Sequence, residues 1–217
     1  MKRKIKFLLL RLARITPYVP FLNRISGLSR SSIDFGNAIL INCCIKVSGK
    51  GNRISFADGI YRDCHFKVRG NNNMILLGSN VHGKDMDVWI EDNKNALVVG
   101  PKTSFAGKIH LACTEGRKIE IGADCLFSSE IVIRTGDSHS ILDSEGRRIN
   151  QAQDVIIGDH VWMTHRAMVT KGAKIPSHCI VGTGAIVTKS FEETNTVLAG
   201  VPAKITKRNV DWDARRL

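Results

Sequence analysis

Apolar residues near the end of the chain recur at a fixed interval of six. From Ile157 the series runs Ile157, Met163, Val169, Ile175, Val181, Val187, and four places after each of the first five stands a small or β-branched residue: Val161, Ala167, Ala173, Cys179, Ala185. A helix repeats at 3.6 residues and a strand at 2.0, so neither accounts for a strict six. A hexad pattern fits a β-solenoid in which each hexad supplies one flat side and a turn. Three hexads close a triangular coil, and stacked coils share one core. The same spacing extends backwards through Phe35/Ile41/Val47, Phe56/Arg62/Val68, Leu77/Gly83, Val99/Phe105/Leu111 and Ile121/Phe127/Ile133. Arg62 and Gly83 break the apolar rule. The leading residues at 35, 56, 77, 99, 121, 157 and 175 are separated by 18, 21 or 22 residues, except for one step of 36 between Ile121 and Ile157. That step predicts an excursion over 139–154, and a long departure from a rigid scaffold is usually functional or disordered.

The expected organisation is a basic amphipathic segment (1–30), an all-β solenoid domain (31–198) carrying the 139–154 loop, and a tail (199–217). Nineteen glycines and 6% aromatic residues suit tight corners and a core of small aliphatic side chains. The six cysteines, Cys43, Cys44, Cys64, Cys113, Cys125 and Cys179, form no CxxC pair. They read as reduced core fillers, which places the chain in a reducing cytoplasm.

The net charge of +12 is unevenly spread. Lys2, Arg3, Lys4, Lys6, Arg11 and Arg14 precede the first acidic residue, Asp34. Ile5, Leu8, Leu9, Leu12 and Ile15 share one helical face, and Pro17 and Pro20 end the helix. The apolar run is too short to span a bilayer. It fits an in-plane anchor on the inner face of an anionic membrane, or a cap over the first coil, and one helix can do both. The basic surplus also suits a polyanionic substrate. No aromatic–basic module points to nucleic acid.

The hexads, Arg134-Thr-Gly-Asp-Ser-His139-Ser-Ile, Ile157-Gly-Asp-His-Val-Trp162 and the ending Ala199-Gly-Val-Pro-Ala-Lys204 resemble the left-handed β-helix (hexapeptide-repeat) acyltransferases. Within them they resemble the branch that acetylates sugars of bacterial capsules and lipopolysaccharides. The likeness covers roughly residues 30–212. It implies a homotrimer of left-handed prisms, acetyl-CoA as acyl donor in the groove between neighbouring subunits, a glycan acceptor, and a histidine near the protruding loop as base. His139 stands where the solenoid gives way to its longest loop. An imidazole suits deprotonation of a sugar hydroxyl against an already activated thioester. If the segment is extended, Asp137 lies on the same face and can fix the tautomer of His139; Asp143 and Glu145 are rival orienters.

Trp162, at a hexad corner, is expected to wall the acceptor site and border the cofactor. His165 stands where the family often has glycine, and is expected to add an acceptor contact or narrow the donor groove. Carried over from the family, Ala167 and Ala185 leave room for the pantetheine arm and adenine, and Thr188 and Lys189 match a cofactor contact. Lys204, Lys207 and Arg208 can neutralise the donor's phosphates; solvated surface charge is the plainer reading. His160 is expected to point outward, and His65, His82, His110 and His178 to be structural.

Three rival readings stay open. A zinc lyase on a similar helix needs converging histidines, but His165 is followed five places on by Thr170, so no metal site is expected. A non-catalytic binding module leaves His139, Trp162 and the basic tail unexplained. N-acetylation of an amino sugar or nucleotide-sugar would use the same base and donor.

Overall fold

The computed structural model describes residues 23–27, 31–215 and 217. The amphipathic helix expected over 5–15 lies outside them. Among the described residues there is no helix. The chain winds as a β-solenoid of about seven coils. Every strand pair is parallel except the closing hairpin, Thr196–Gly200 against Ala203–Arg208.

Each coil supplies one residue to each of several inward columns. One runs Ile45, Phe66, Val88, Leu111, Ile133, Val169, Val187. Another runs Phe56, Leu77, Val99, Ile121, Ile157, Ile175. Every member of both columns is buried. Burying such a side chain contributes about 1.5–3 kcal/mol, so a single continuous core along the prism axis holds the coils together. A third column corrects the hexad reading in the early coils. There the inward residues are Leu40 and Tyr61, not Ile41 and Arg62, followed by Gly83, Phe105, Phe127, Met163, Val181 and Leu198. Tyr61 fills the prism there. A Cβ on Gly83 would lie 3.0 Å from its ring and 2.5 Å from Met86 Sδ, so the glycine is the space the ring occupies.

A polar ladder and a close glycine corner reinforce the stack. Asn52, Asn73 and Asn95 form a buried ladder, with Asn73 Nδ2 donating to Asn52 Oδ1 at 3.1 Å and Asn95 Nδ2 to Asn73 Oδ1 at 3.0 Å. At another corner the coils approach so closely that a Cβ on Gly100 would sit 2.5 Å from the Gly122 carbonyl carbon.

The core resumes across the excursion without a shift. Ile119 and Ile121 pair directly with Val155 and Ile157, so the loop leaves after Arg134 and returns to the next coil in register. The six cysteines are free thiols; all but Cys44 are buried. Burial pushes the Cys113 thiol up to about 12 and Cys125 to about 11, so neither is a nucleophile at neutral pH.

Candidate active site

The loop owes its shape to a few hydrogen bonds. Gly136 is buried where a Cβ would meet Thr114 Cγ2 at 2.6 Å, and Ser138 has φ 68°. The tip folds back through a bridge between Leu142 and Arg148. The Asp143 carboxylate collects the amides of Glu145 and Arg147, both at 2.9 Å. Two ion pairs tie the loop to the coils: Arg148 to Glu115 at 2.6 Å, and Lys171 to Asp137. The Arg148 hydrogen bond holds the Glu115 carboxyl below its usual range, and Lys171 does the same for Asp137.

Asn150, which sequence reasoning did not single out, is the hub. Its Nδ2 donates to the His139 carbonyl at 2.7 Å and to Asp137 Oδ2 at 2.9 Å. Its Oδ1 accepts from the Ile141 amide at 2.7 Å and from Arg148 Nε at 3.1 Å. A buried asparagine in a mostly exposed loop is its only signal, and burial is invisible in sequence.

His139 is exposed and lines a hollow of about 570 Å³ together with Trp89, Glu91, Asp92, His110 and Arg134. Asp137 does not orient it. The left-handed turn at Ser138 breaks the extended geometry that would have put both side chains on one face, and the Asp137 carboxylate goes instead to Lys171 and Asn150. The rival orienters are also committed elsewhere, Asp143 within the loop and Glu145 to Arg147 at 2.9 Å. In the same hollow His110 does have an orienting carboxylate: its Nδ1 donates to Asp87 Oδ2 at 2.8 Å. Parallel pairing places Asp87 directly beside His110.

The hollow continues along one flat side. Lys46, Lys67, Trp89, Ala112 and Arg134 stack as an outward column. At about 4.8 Å per strand the column runs about 19 Å. Lys67 Nζ sits 3.7 Å over the Trp89 ring. A larger trough of about 840 Å³ on this side is lined by Arg24, Lys46, His65, Lys67 and Trp89 among others.

The other expected residues fall elsewhere. Trp162 is not at a corner but on a flat side, in the strand Trp162–Met163, half-buried with its ring 6.1 Å from Trp212. His165 is in a turn, its Nδ1 2.9 Å from Ser129 Oγ. Ala167 and Ala185 point into the prism and are fully buried (0% exposed), so their small size serves the core and their methyl groups cannot touch a ligand in an outer groove. Thr188 and Lys189 are exposed. Lys189, Lys204 and Arg208 line one shallow hollow of about 460 Å³, with Lys207 outside it. Arg208 is already engaged by Glu193 at 3.0 Å.

Trp212 packs the tail onto the prism. Its indole stacks on His160 (4.3 Å, 12°) and donates to the His160 carbonyl at 2.9 Å. Burial disfavours a charged His160 ring, but the Asp124 hydrogen bond, the Trp212 carbonyl and the Asp211 carboxylate outweigh it and raise the His160 pKa.

No family model matches the chain. It is 36% identical over 118 residues to a polysialic acid O-acetyltransferase of Neisseria meningitidis, a match covering 54% of each chain. The polysialic acid O-acetyltransferase OatWY superposes with a TM-score of 0.60 at 30% identity, over 90% of this chain and 88% of that one. The polySia-specific acetyltransferase NeuO gives a TM-score of 0.71 at 26% identity, over 89% and 85%. The chain spans about half the length, or less, of the curated relatives it matches. The chain belongs to the hexapeptide-repeat acyltransferases of the left-handed β-helix fold, in their sugar O-acetyltransferase branch.

Proposed function

We propose that this chain transfers an acetyl group from acetyl-CoA to a hydroxyl of an anionic glycan, of the capsular or lipopolysaccharide kind, with His139 as general base. One observation carries this reading. The only histidine on the long excursion opens into a hollow that continues along the Lys46–Lys67–Trp89–Arg134 column. A column of cations with an aromatic face suits a chain of acidic sugars: the indole stacks on a pyranose and the flanking charges meet carboxylates. The relatives' activity on polysialic acid supports the same acceptor chemistry.

In the proposed step the neutral His139 ring takes the hydroxyl proton as the oxygen bonds to the thioester carbon. The carbon–sulfur bond breaks, and the imidazolium returns the proton to the departing thiolate. No covalent enzyme intermediate forms, in keeping with the buried, protonated Cys113 behind the hollow. Asn150 acts as a positioning residue through the His139 carbonyl. The exposed cations Lys189 and Lys204 suit the donor's phosphates, and Trp162 suits a wall of the acceptor site. The donor groove is completed by a second copy in a trimer. Half-exposed Leu126, Trp162, Ile180 and Val197 in one outward column, and loop residues Ile141, Leu142 and Ile149 at 54–59% exposure, supply apolar surface for that contact.

His110 is a second reading for the base, favoured by its Asp87 partner. Acetyl transfer to polysialic acid is the assay. His139→Ala is expected to lower kcat by roughly 10²–10⁴ with the donor affinity unchanged, the range for loss of general-base catalysis. The same loss in His110→Ala and Asp87→Asn, with His139→Ala near wild type, would move the base to His110. An acetamido (amide) product from amino-sugar acceptors would establish N-acetylation instead.

A further inference from the structure

His160 presents an unresolved polarity. Its Nδ1 lies 2.7 Å from the Asp124 carboxylate, so that nitrogen carries a proton and donates it. In a neutral ring Nε2 then holds only a lone pair. Yet Nε2 faces two acceptors, the Trp212 carbonyl at 3.1 Å and Asp211 Oδ1 at 3.4 Å. A positive charge at Nε2 reconciles these groups, carried either by a second ring proton or by a bound cation.

A second histidine completes the picture. His160 and His178 occupy matching corners of successive coils, both in the left-handed conformation (φ 52° and 60°), with ring centroids 5.1 Å apart. The His178 amide donates to the Asp159 carbonyl, which fixes one corner under the other. The tail then brings Asp211 across both rings: its other carboxylate oxygen is 3.4 Å from His178 Nδ1. One nitrogen from each histidine and one oxygen of Asp211 lie within 4.8 Å of one another.

We propose that His160, His178 and Asp211 bind a divalent transition-metal ion of the zinc class, which fastens the C-terminal tail to the prism. Metal–ligand bonds of about 2.0–2.2 Å in a tetrahedron put neighbouring ligand atoms about 3.3–3.5 Å apart; each histidine nitrogen lies 3.4 Å from a different oxygen of Asp211, so the carboxylate spans the two rings with one oxygen toward each. Two imidazoles and one carboxylate favour zinc, cobalt or nickel over magnesium or calcium. Asp124 on the remote nitrogen of His160 is the outer carboxylate that fixes the ligating tautomer in such sites. The Trp212 indole stacked on the His160 ring holds that ring in place. Because Trp212 lies beside Trp162, the ion also holds one flank of the proposed acceptor wall. The hexad pattern gave no hint of this site, since Asp211 lies outside the repeat.

The test uses chelator-treated full-length protein, titrated calorimetrically with Zn²⁺ and, in parallel, with Mg²⁺. One equivalent of Zn²⁺ per chain is expected, with no Mg²⁺ binding, and with a rise in Tm of about 5–10 °C at a hundredfold excess over Kd. Asp211→Ala and His178→Ala, both at exposed positions, are expected to abolish that equivalent. Asp124→Asn is expected to weaken it about 10–100-fold, as losses of such outer partners do. Exposed His82, replaced by alanine, is the control that keeps it. The proposal is overturned by no zinc uptake, by an equivalent that survives both ligand substitutions, or by a tail whose protease protection follows pH and ignores zinc. The last outcome would mean that a second proton on His160, not an ion, resolves the polarity.

Discussion

Asn150→Ala tests whether the loop positions the base. The substitution deletes four side-chain hydrogen bonds. Those to Asp137 and Arg148 are partly solvated, and water replaces much of them. Those to the His139 carbonyl and the Ile141 amide hold the backbone on either side of the loop's entry. At about 1 kcal/mol net for each backbone bond, with some cost for the partners left behind, the docked loop loses about 2–3 kcal/mol. That corresponds to about 30–150-fold in the equilibrium between docked and open loop. A base displaced by an ångström loses about 10² in rate, so kcat is expected to fall about 10–100-fold with the donor KM unchanged. The main thermal transition moves little, because Ile119–Val155 pairing beneath the loop is untouched. Hydrogen exchange over 139–154 should accelerate by a factor similar to the loss in kcat. Turnover within about twofold of wild type, with exchange in the loop faster, would show that docking does not govern the base and refute the reasoning.

Other outcomes follow from the same structure. Asp137 and Glu115 have carboxyl pKa values lowered in the folded chain from 3.8 and 4.5, so their ion pairs stabilise the loop fully above those values and fade as pH falls through the folded ones; protection of 139–154 should drop below about pH 4.5 before the core unfolds. Light scattering is expected to give a homotrimer at assay concentration, and a fully active monomer would remove the shared donor groove. Deleting residues 2–16 is expected to leave a folded, active protein that no longer floats with anionic liposomes. Six cations at about 1 kcal/mol each are expected to make the flotation of the full-length chain salt-sensitive. Full-length protein that ignores such liposomes would leave the segment as a cap on the first coil.

The solenoid was legible in sequence because its core is periodic. Each coil repeats the demands of the one below, so Ile157 through Val187 show the spacing openly, and the single break located the excursion. The first coils were harder to read. Tyr61 packs inward only because Gly83 beneath it leaves the room, a dependence between residues a full coil apart. Ala167 and Ala185 were misassigned for a related reason: small residues suit both a crowded interior and a close outer groove, and only burial separates the two. Sequence likewise placed His139 at the loop's root but could not orient it. One left-handed residue, Ser138, sent Asp137 away to Lys171. The Lys46–Lys67–Trp89–Arg134 column is a product of stacking, and the His160–His178–Asp211 cluster of stacking together with the return of the tail. Periodicity fixes which residues face inward, because the core is shared by all coils. What the outward residues build together depends on corner insertions and on where the tail returns, which no local spacing encodes.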